Sequence, residues 1–363
     1  AAGAGQVAAS AAVVPYSSGW CSRYTSRLWR PAPRSQRQRG PPVTLVANRL
    51  SRRADELDEP ETLAHAIAEY ARLGDEAWWR LQPDNAALAG LAAAPLCELL
   101  GELPRLARTA LYFGPRSVDD AALTLGRDHV PLPRPTPVPL RRVARDTIFF
   151  THKDMAQAQV QVFLPRPPLA TAAAPLARLF DQYMGADMSG AIFQELREAR
   201  GLAYAATARI EPGRRADDPA AVRGVVATQA DKVVEALALL LDLIRGRGLL
   251  PARVDAARES LLAELRTTRV APRAIARRVY EWRERGELED PRPAMLAEIP
   301  KISADALAAF VEEHARTPAS ISLLGDRSRL DLAALARRYD VIEVARADLF
   351  SYGPFPQELG GAA

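Results

Sequence analysis

Apolar positions recur every three or four residues over 59–73, where Leu63, Ile67, Tyr70 and Ala71 share a face, and this spacing predicts a helix. The same period predicts a helix pair over 86–106, broken near Pro95 and Pro104, and helices over 175–183, 231–245, 251–268, 273–285 and 331–339. Residues 303–314 form a further helix with Ser303 as its cap, and 117–125 another that opens on Ser117 and Asp119. Short apolar or alternating runs predict strands at 43–48, 110–114, 147–150, 158–164, 222–227, 319–325 and 341–344. The runs at 147–150 and 158–164 are expected to pair as a hairpin through His152-Lys153-Asp154, with Asp154 and Gln157 structural residues at the second strand's start. ALYFGPRSVDDAAL (110–123) and ISLLGDRSRLDLAAL (321–335) echo one another as strand, Gly, Arg-Ser, helix.

One stretch joins both periods. Residues 181–210 begin in a helix, cross a turn at Gly185, and enter a second helix opened by Met188 and Ser189, with Asp187 or Ser189 as cap. Ile192, Phe193 and Leu196 fall on one face of that helix. Gly201 suits the left-handed residue just past its end. Beyond it Leu202, Tyr204, Ala206, Ala208 and Ile210 alternate along one side of a strand. Arg197 in the last helical turn and Tyr204 near the strand start thus flank one corner.

The run Gly185, Met188, Ser189, then Arg197-Glu198-Ala199-Arg200-Gly201-Leu202-Ala203-Tyr204 resembles the signature of the zinc-free half of the M16 (insulinase, pitrilysin and processing-peptidase) metallopeptidases. Ala186, Asp187 and Ala199 depart from the family's glycines and lysine, which alters loop shape and surface charge and not chemistry. The segments 154–165, 227–237, 256–269, Ile299-Pro300 and 348–353 add to a resemblance with long bacterial M16 peptidases that covers roughly 100–353 well. It implies an α+β fold of M16/LuxS-like metallohydrolase modules, a mostly antiparallel sheet with helices packed on one face. It also implies that Arg197 and Tyr204 handle substrate: the phenol as a donor to the oxyanion, the guanidinium binding a substrate carbonyl or orienting the phenol. Singly, each has a blander reading: an Arg that satisfies terminal carbonyls, and a Tyr that packs with a wet hydroxyl.

His-x-x-Glu-His, which would place two ligands on one helix face, is absent. The histidines are His65, His129, His152 and His314, and no two share a helical turn. No cofactor is expected in this chain; the resemblance implies zinc on a partner half, either a separate chain or a missing N-terminal segment. The implied partners are that half and a peptide or unfolded polypeptide. The rival reading is a scaffold subunit that keeps the fold without proteolysis, as in the core subunits of respiratory complexes. Gly185 and Gly190 lack the lysine and spacing of a phosphate loop.

Composition changes this picture little. The chain has 363 residues, 48% hydrophobic and 25% charged, with a formal charge of +4. Its cations are nearly all arginine, which suggests a GC-rich bacterial source; cytoplasm and periplasm are not distinguished. No apolar run approaches a membrane span. Cys21 and Cys97 make no disulfide framework or metal spacing. The expected organisation is an Arg/Pro/Ser-rich leader over 1–45, a mainly helical end of a preceding M16-type domain over 46–107, and the C-terminal domain over 108–363. The leader's Trp20, Tyr24 and Trp29 are too few and irregular for a stacking platform, so no nucleic-acid partner is expected.

Overall fold

A six-stranded sheet organises the larger of two compact units. The structure, a computed structural model, describes residues 42–102, 111–117, 119–120, 136–185 and 190–355. The strands are β1 (Thr147–His152), β2 (Gln157–Arg166), β3 (Ala205–Glu211), β4 (Ala220–Gln229), β5 (Ser320–Gly325) and β6 (Asp340–Glu343), in spatial order β3-β4-β2-β5-β1-β6. The ladders β3–β4, β4–β2 and β2–β5 are antiparallel, while β1 runs parallel to both β5 and β6.

The helices are α1 (Pro42–Glu56), α2 (Pro60–Leu73), α3 (Asn85–Ala89), α4 (Ala93–Glu102), α5 (Ala174–Gly185), α6 (Val233–Ile244), α7 (Pro251–Thr267), α8 (Pro272–Glu284), α9 (Arg292–Glu298), α10 (Ala304–Ala315) and α11 (Leu332–Ala336). Period-two alternation sends Ile148, Phe150, Val160, Val162, Val222, Val226, Ile321 and Leu323 to one sheet face. There they bury against Leu179 and Phe180 of α5, Leu240 of α6, Leu261 of α7 and Phe310 of α10. This is the main helical layer the sequence predicts. On the other face α2 covers β1 and β5, with Leu63 and Ile67 against Phe149, Leu324 and Tyr352. The remaining part of that face stays polar. Gln161 Oε1 accepts from Arg223 Nη2 at 2.7 Å, and Glu211 Oε1 accepts from Arg209 at 3.0 Å and Arg223 at 3.2 Å. Burial alone would raise the Glu211 carboxyl, but the two arginines hold it below its usual range.

Asp146 ties the strand starts together. Its carboxylate takes a bidentate pair from Arg245 at 2.9 and 2.7 Å and the Ala319 N–H at 2.8 Å. Its backbone carbonyl accepts from Asp340 N at 3.0 Å. A single residue before β1 thereby fixes the entries of β5 and β6 and the end of α6.

Several expectations are corrected. The run 43–48 is helical, not a strand: Val46, Leu50 and Arg53 recur at helical spacing along α1, and Pro42 suits a first helical turn. The β1–β2 hairpin does not form, because β5 lies between the two strands and pairs with each. Residues 111–113 are irregular and 114–116 a bend, so the first half of the internal echo lacks its strand. The second half is present, β5 being followed by Asp331, whose carboxylate caps α11 through Ala334 N at 2.8 Å. In the 86–106 segment the break falls at 90–92, and Pro95 sits in the first turn of α4, where its missing N–H costs nothing. Asp154 precedes β2 and does not belong to it.

Residues 46–91, 135–270 and 278–363 fall in one compact unit, so the helical segment 46–91 shares a body with the sheet. Among the described residues the second unit holds 42–45, 92–102 with α4, 111–117, 119–120 and 271–277. Within it Ser117 Oγ accepts from Asp120 N at 3.1 Å, the expected cap contact. Residues 1–41 of the expected leader, and Asp187, Met188 and Ser189, lie outside the described residues. No described helix is long and apolar enough to cross a membrane.

Candidate functional site

The corner between the second helix and β3 is built by an unusual turn. Residues 193–198 wind as a π-type turn, with Ala199 N donating to Gln194 O at 2.9 Å. The expected face holds in part: Ile192 and Leu196 are buried and Phe193 is half-buried. Wide turns of this kind recur at functional positions. The turn ends at Gly201, whose φ of +57° reverses the chain as the sequence predicts. Gly201 N bonds Arg197 O at 3.0 Å and Leu202 N bonds Leu196 O at 2.8 Å.

The corner is then tied to the end of β4. Lys232 Nζ donates to Gly201 O at 3.3 Å, Thr228 Oγ1 donates to Leu202 O, and Tyr204 N donates to Ala227 O at 2.9 Å. Replacing Gly201 with Ala is expected to cost about 1 kcal/mol. No atom lies within 4 Å of the added Cβ, so the cost is backbone strain alone. A urea midpoint equal to wild type would show that the corner tolerates another conformation.

Tyr204 sits one residue before β3 and is 52% exposed. Gln229 Nε2 donates to its hydroxyl oxygen at 3.1 Å. The phenol therefore accepts from the protein and keeps its own O–H hydrogen to offer elsewhere. Beside it lies an open depression of about 460 Å³ lined by Gln157, Gln229, Asp231 and Arg329 as well as Tyr204. Arg329 is anchored by Asp326 at 3.2 Å.

Arg197 is exposed and its guanidinium lies 4.9 Å from the centre of the Phe193 ring. No hydrogen bond joins it to Tyr204 among the described residues, and it does not line the depression. The structure thus sets the expected pair on either side of one corner without bringing the two side chains into contact. Gln229 and Arg329 are additions that sequence reasoning missed, and Gln157 has a place beside the phenol that its structural reading did not foresee. The alternation Gln157, Gln159, Gln161 was the available signal, since three polar residues on one face of a strand mark a face left uncovered.

Among the described residues no group of three His, Cys, Asp or Glu side chains is arranged to hold a metal. His65 is exposed on α2, His152 lies at the end of β1 with Asp326 4.0 Å away, and His314 is buried. His129 lies outside the described residues. The described side chains do not fit a zinc ion, and no step of their chemistry is routed through one.

Asp181 is strongly perturbed. It lies on α5, and its Oδ1 accepts from Ile210 N at 2.7 Å. Burial pushes its carboxyl up to about 7, against the pull of that hydrogen bond and of Arg178 and Arg209. A folded-state value above the unfolded 3.8 means the charged form is disfavoured by folding. The penalty is absent below the unfolded value, grows as pH rises, and is complete above about 7. Asp181→Asn is expected to match wild type at pH 4 and to gain roughly 2 kcal/mol at pH 8, measured by urea unfolding at both. Equal stabilities at pH 8 would show that the carboxyl is not desolvated.

No curated protein matches the chain in sequence. Residues 96–261 match the family described as the peptidase M16 inactive domain. The fold is similar to the crystal structure of a peptidase M16 inactive domain from Pseudomonas fluorescens, with TM-score 0.59 and 14% identity over 78% of this chain and 70% of that one. It is also similar to the periplasmic protease PqqL from Escherichia coli, with TM-score 0.54 and 15% identity over 78% of this chain and 33% of that one. A chain of complex III2 from Candida albicans gives TM-score 0.56 and 11% identity over 78% and 73%. At these identities the likeness is one of fold. The segment 96–261 is thus similar to the peptidase M16 inactive domain, and the fold is the one these M16 structures share.

Proposed function

We propose that the chain is the non-zinc half of an M16 metalloendopeptidase, and that it holds a peptide against a catalytic site borne by a second, zinc-bearing half. The observation that carries this reading is the Tyr204 hydroxyl, exposed, oriented by Gln229 and fixed on a corner tied to β4. A donor held rigidly before reaction needs no reorganisation when charge develops on a carbonyl oxygen, and such donors contribute about 3–4 kcal/mol to barrier lowering. The metal and the attacking water would belong to the partner half.

Within this chain the roles divide by geometry. Tyr204 donates to the scissile carbonyl oxygen as it gains charge. Arg197, exposed beyond the other side of the corner, binds a backbone carbonyl of the peptide further along its length. Gln229 positions the phenol. The polar face of β2 and β4 offers Gln157, Gln159 and the part-exposed Arg223 to an extended polypeptide.

The test is reconstitution. The chain alone is expected to hydrolyse no peptide, and activity is expected on mixing with a zinc-bearing M16 chain. Absence of activity with every such partner, together with a stable stoichiometric complex, would favour the scaffold reading.

A further inference from the structure

A cleft of about 430 Å³ lies within the larger unit, lined by residues of α5, the end of β3, α7, α8 and α9. It shares no residue with the depression beside Tyr204. Its volume is that of a small-ligand site. Leu169, Ala174, Leu265 and Met295 supply apolar wall, and Trp282 an aromatic one.

The charges in this cleft are unevenly matched. Five arginines line it, and four of them already have a carboxylate: Arg178 with Glu264 at 2.9 Å, Arg215 with Glu284 at 3.3 Å, Arg278 with Glu281 at 3.2 Å and Arg292 with Asp290 at 2.5 Å. Two acids are left over. Asp181 forms no ion pair among the described residues, and its one hydrogen bond is from the Ile210 N–H. Glu287 Oε2 is buried without a hydrogen-bond partner, and the charge of Arg285 acts on it. The cleft therefore has spare acceptors and no spare cation except Arg285, which Glu287 faces.

We propose that this cleft binds a primary ammonium group carried on an apolar body, with the ammonium seated on Asp181 and the body against Leu169, Leu265 and Met295. Burial disfavours the Asp181 and Glu287 carboxylates in the empty cleft, and an incoming cation restores the charged form. An anion would find four of the five arginines already paired, and the fifth, Arg285, lies beside the Glu287 charge. The ammonium has two possible sources, a free amine or the lysine side chain of a peptide, and the experiment separates them. The proposal is independent of the assigned peptidase role.

The full chain, without any partner, is titrated by calorimetry with 2-phenylethylamine and with its neutral analogue 2-phenylethanol. The amine is expected to bind with a dissociation constant on the order of 1 mM, and the alcohol about tenfold or more weakly. Asp181→Asn keeps an acceptor for Ile210 N and should fold; it is expected to lose about tenfold or more in amine affinity, with Glu287→Gln losing less. Tyr204→Phe is expected to bind the amine as wild type does, so failure of the catalytic proposal leaves this one standing. A short peptide with one lysine, compared with its acetyl-lysine twin, assigns the source: tighter binding of the lysine form than of the amine points to a peptide, and binding of the amine alone points to a small molecule. Equal affinity for amine and alcohol, or an Asp181→Asn variant that binds the amine undiminished, overturns the proposal.

Discussion

Tyr204→Phe in the reconstituted enzyme is expected to lower kcat by about 10²–10³-fold with little change in KM. The change deletes one oxygen. The ring that stands at the corner is retained, and the backbone contact of Tyr204 N with Ala227 O does not involve the hydroxyl. What disappears is a donor whose lone-pair side is already engaged by Gln229 and whose hydrogen is free. If that hydrogen serves the charged transition state and not the resting peptide, the loss falls on turnover. Gln229→Leu leaves the phenol in place and removes its orientation, so a smaller fall in kcat is expected. Steady-state kinetics on one peptide with wild type and both variants decides the matter. Full activity in Tyr204→Phe removes the catalytic role and leaves shared ancestry.

Arg166→Met is expected to destabilise the fold by about 3–5 kcal/mol, the largest stability effect of any single substitution discussed above. The Arg166 side chain is only 2% exposed. It donates to Phe310 O at 3.2 Å, contacts His314 Nδ1 and Glu313, and lies 4.2 Å from the centre of the Phe310 ring. His314 in turn bonds Ile244 O through Nε2 at 3.0 Å, which fixes the neutral tautomer with its proton on that nitrogen. Burial, then the charge of Arg166, lowers the His314 value to about 4 from 6.5. Stability from the neutral ring is present above the unfolded value of 6.5 and is lost as pH falls through 4, a swing of roughly 3 kcal/mol. Methionine fills the volume of Arg166 but strands the imidazole acceptor and the Phe310 carbonyl. The double change Arg166→Met with His314→Phe removes the stranded acceptor and is expected to recover part of the loss. Chemical denaturation of the three proteins at pH 7.5 measures this, and a single-variant loss under about 1 kcal/mol would show the cluster to be ornamental.

Local order along the chain was legible where one period dominates. α2, α7 and α10 fall within a few residues of the apolar spacing that predicts them, and Ser303 and Gly201 take the cap and left-handed roles their chemistry suits. Pairing was not legible. Nothing in the runs of β1 and β2 says that a strand more than 150 residues later lies between them. The seven-residue spacing of Val46 and Arg53 marks a helix face, but the apolar run 43–46 hides it. At the site, the motif named Arg197 and Tyr204, while Gln229 and Arg329 come from β4 and from beyond β5 and have no sequence neighbourhood in common with it. The Asp181 cleft was invisible for the same reason: its walls come from five separate elements, and the matching of its charges exists only in three dimensions.

The position of β5 between β1 and β2 also bears on how the chain reaches its native state. Both neighbours are complete by Arg166, yet the strand that joins them begins at Ser320. As the polypeptide leaves the ribosome, two apolar strand edges wait for a segment still to be synthesised. Such high contact order slows folding and leaves those edges open to wrong pairing. Synthesis of the segment that begins at Ser320 is therefore the event that seals the sheet, and until then the unpaired edges are what a chaperone would mask.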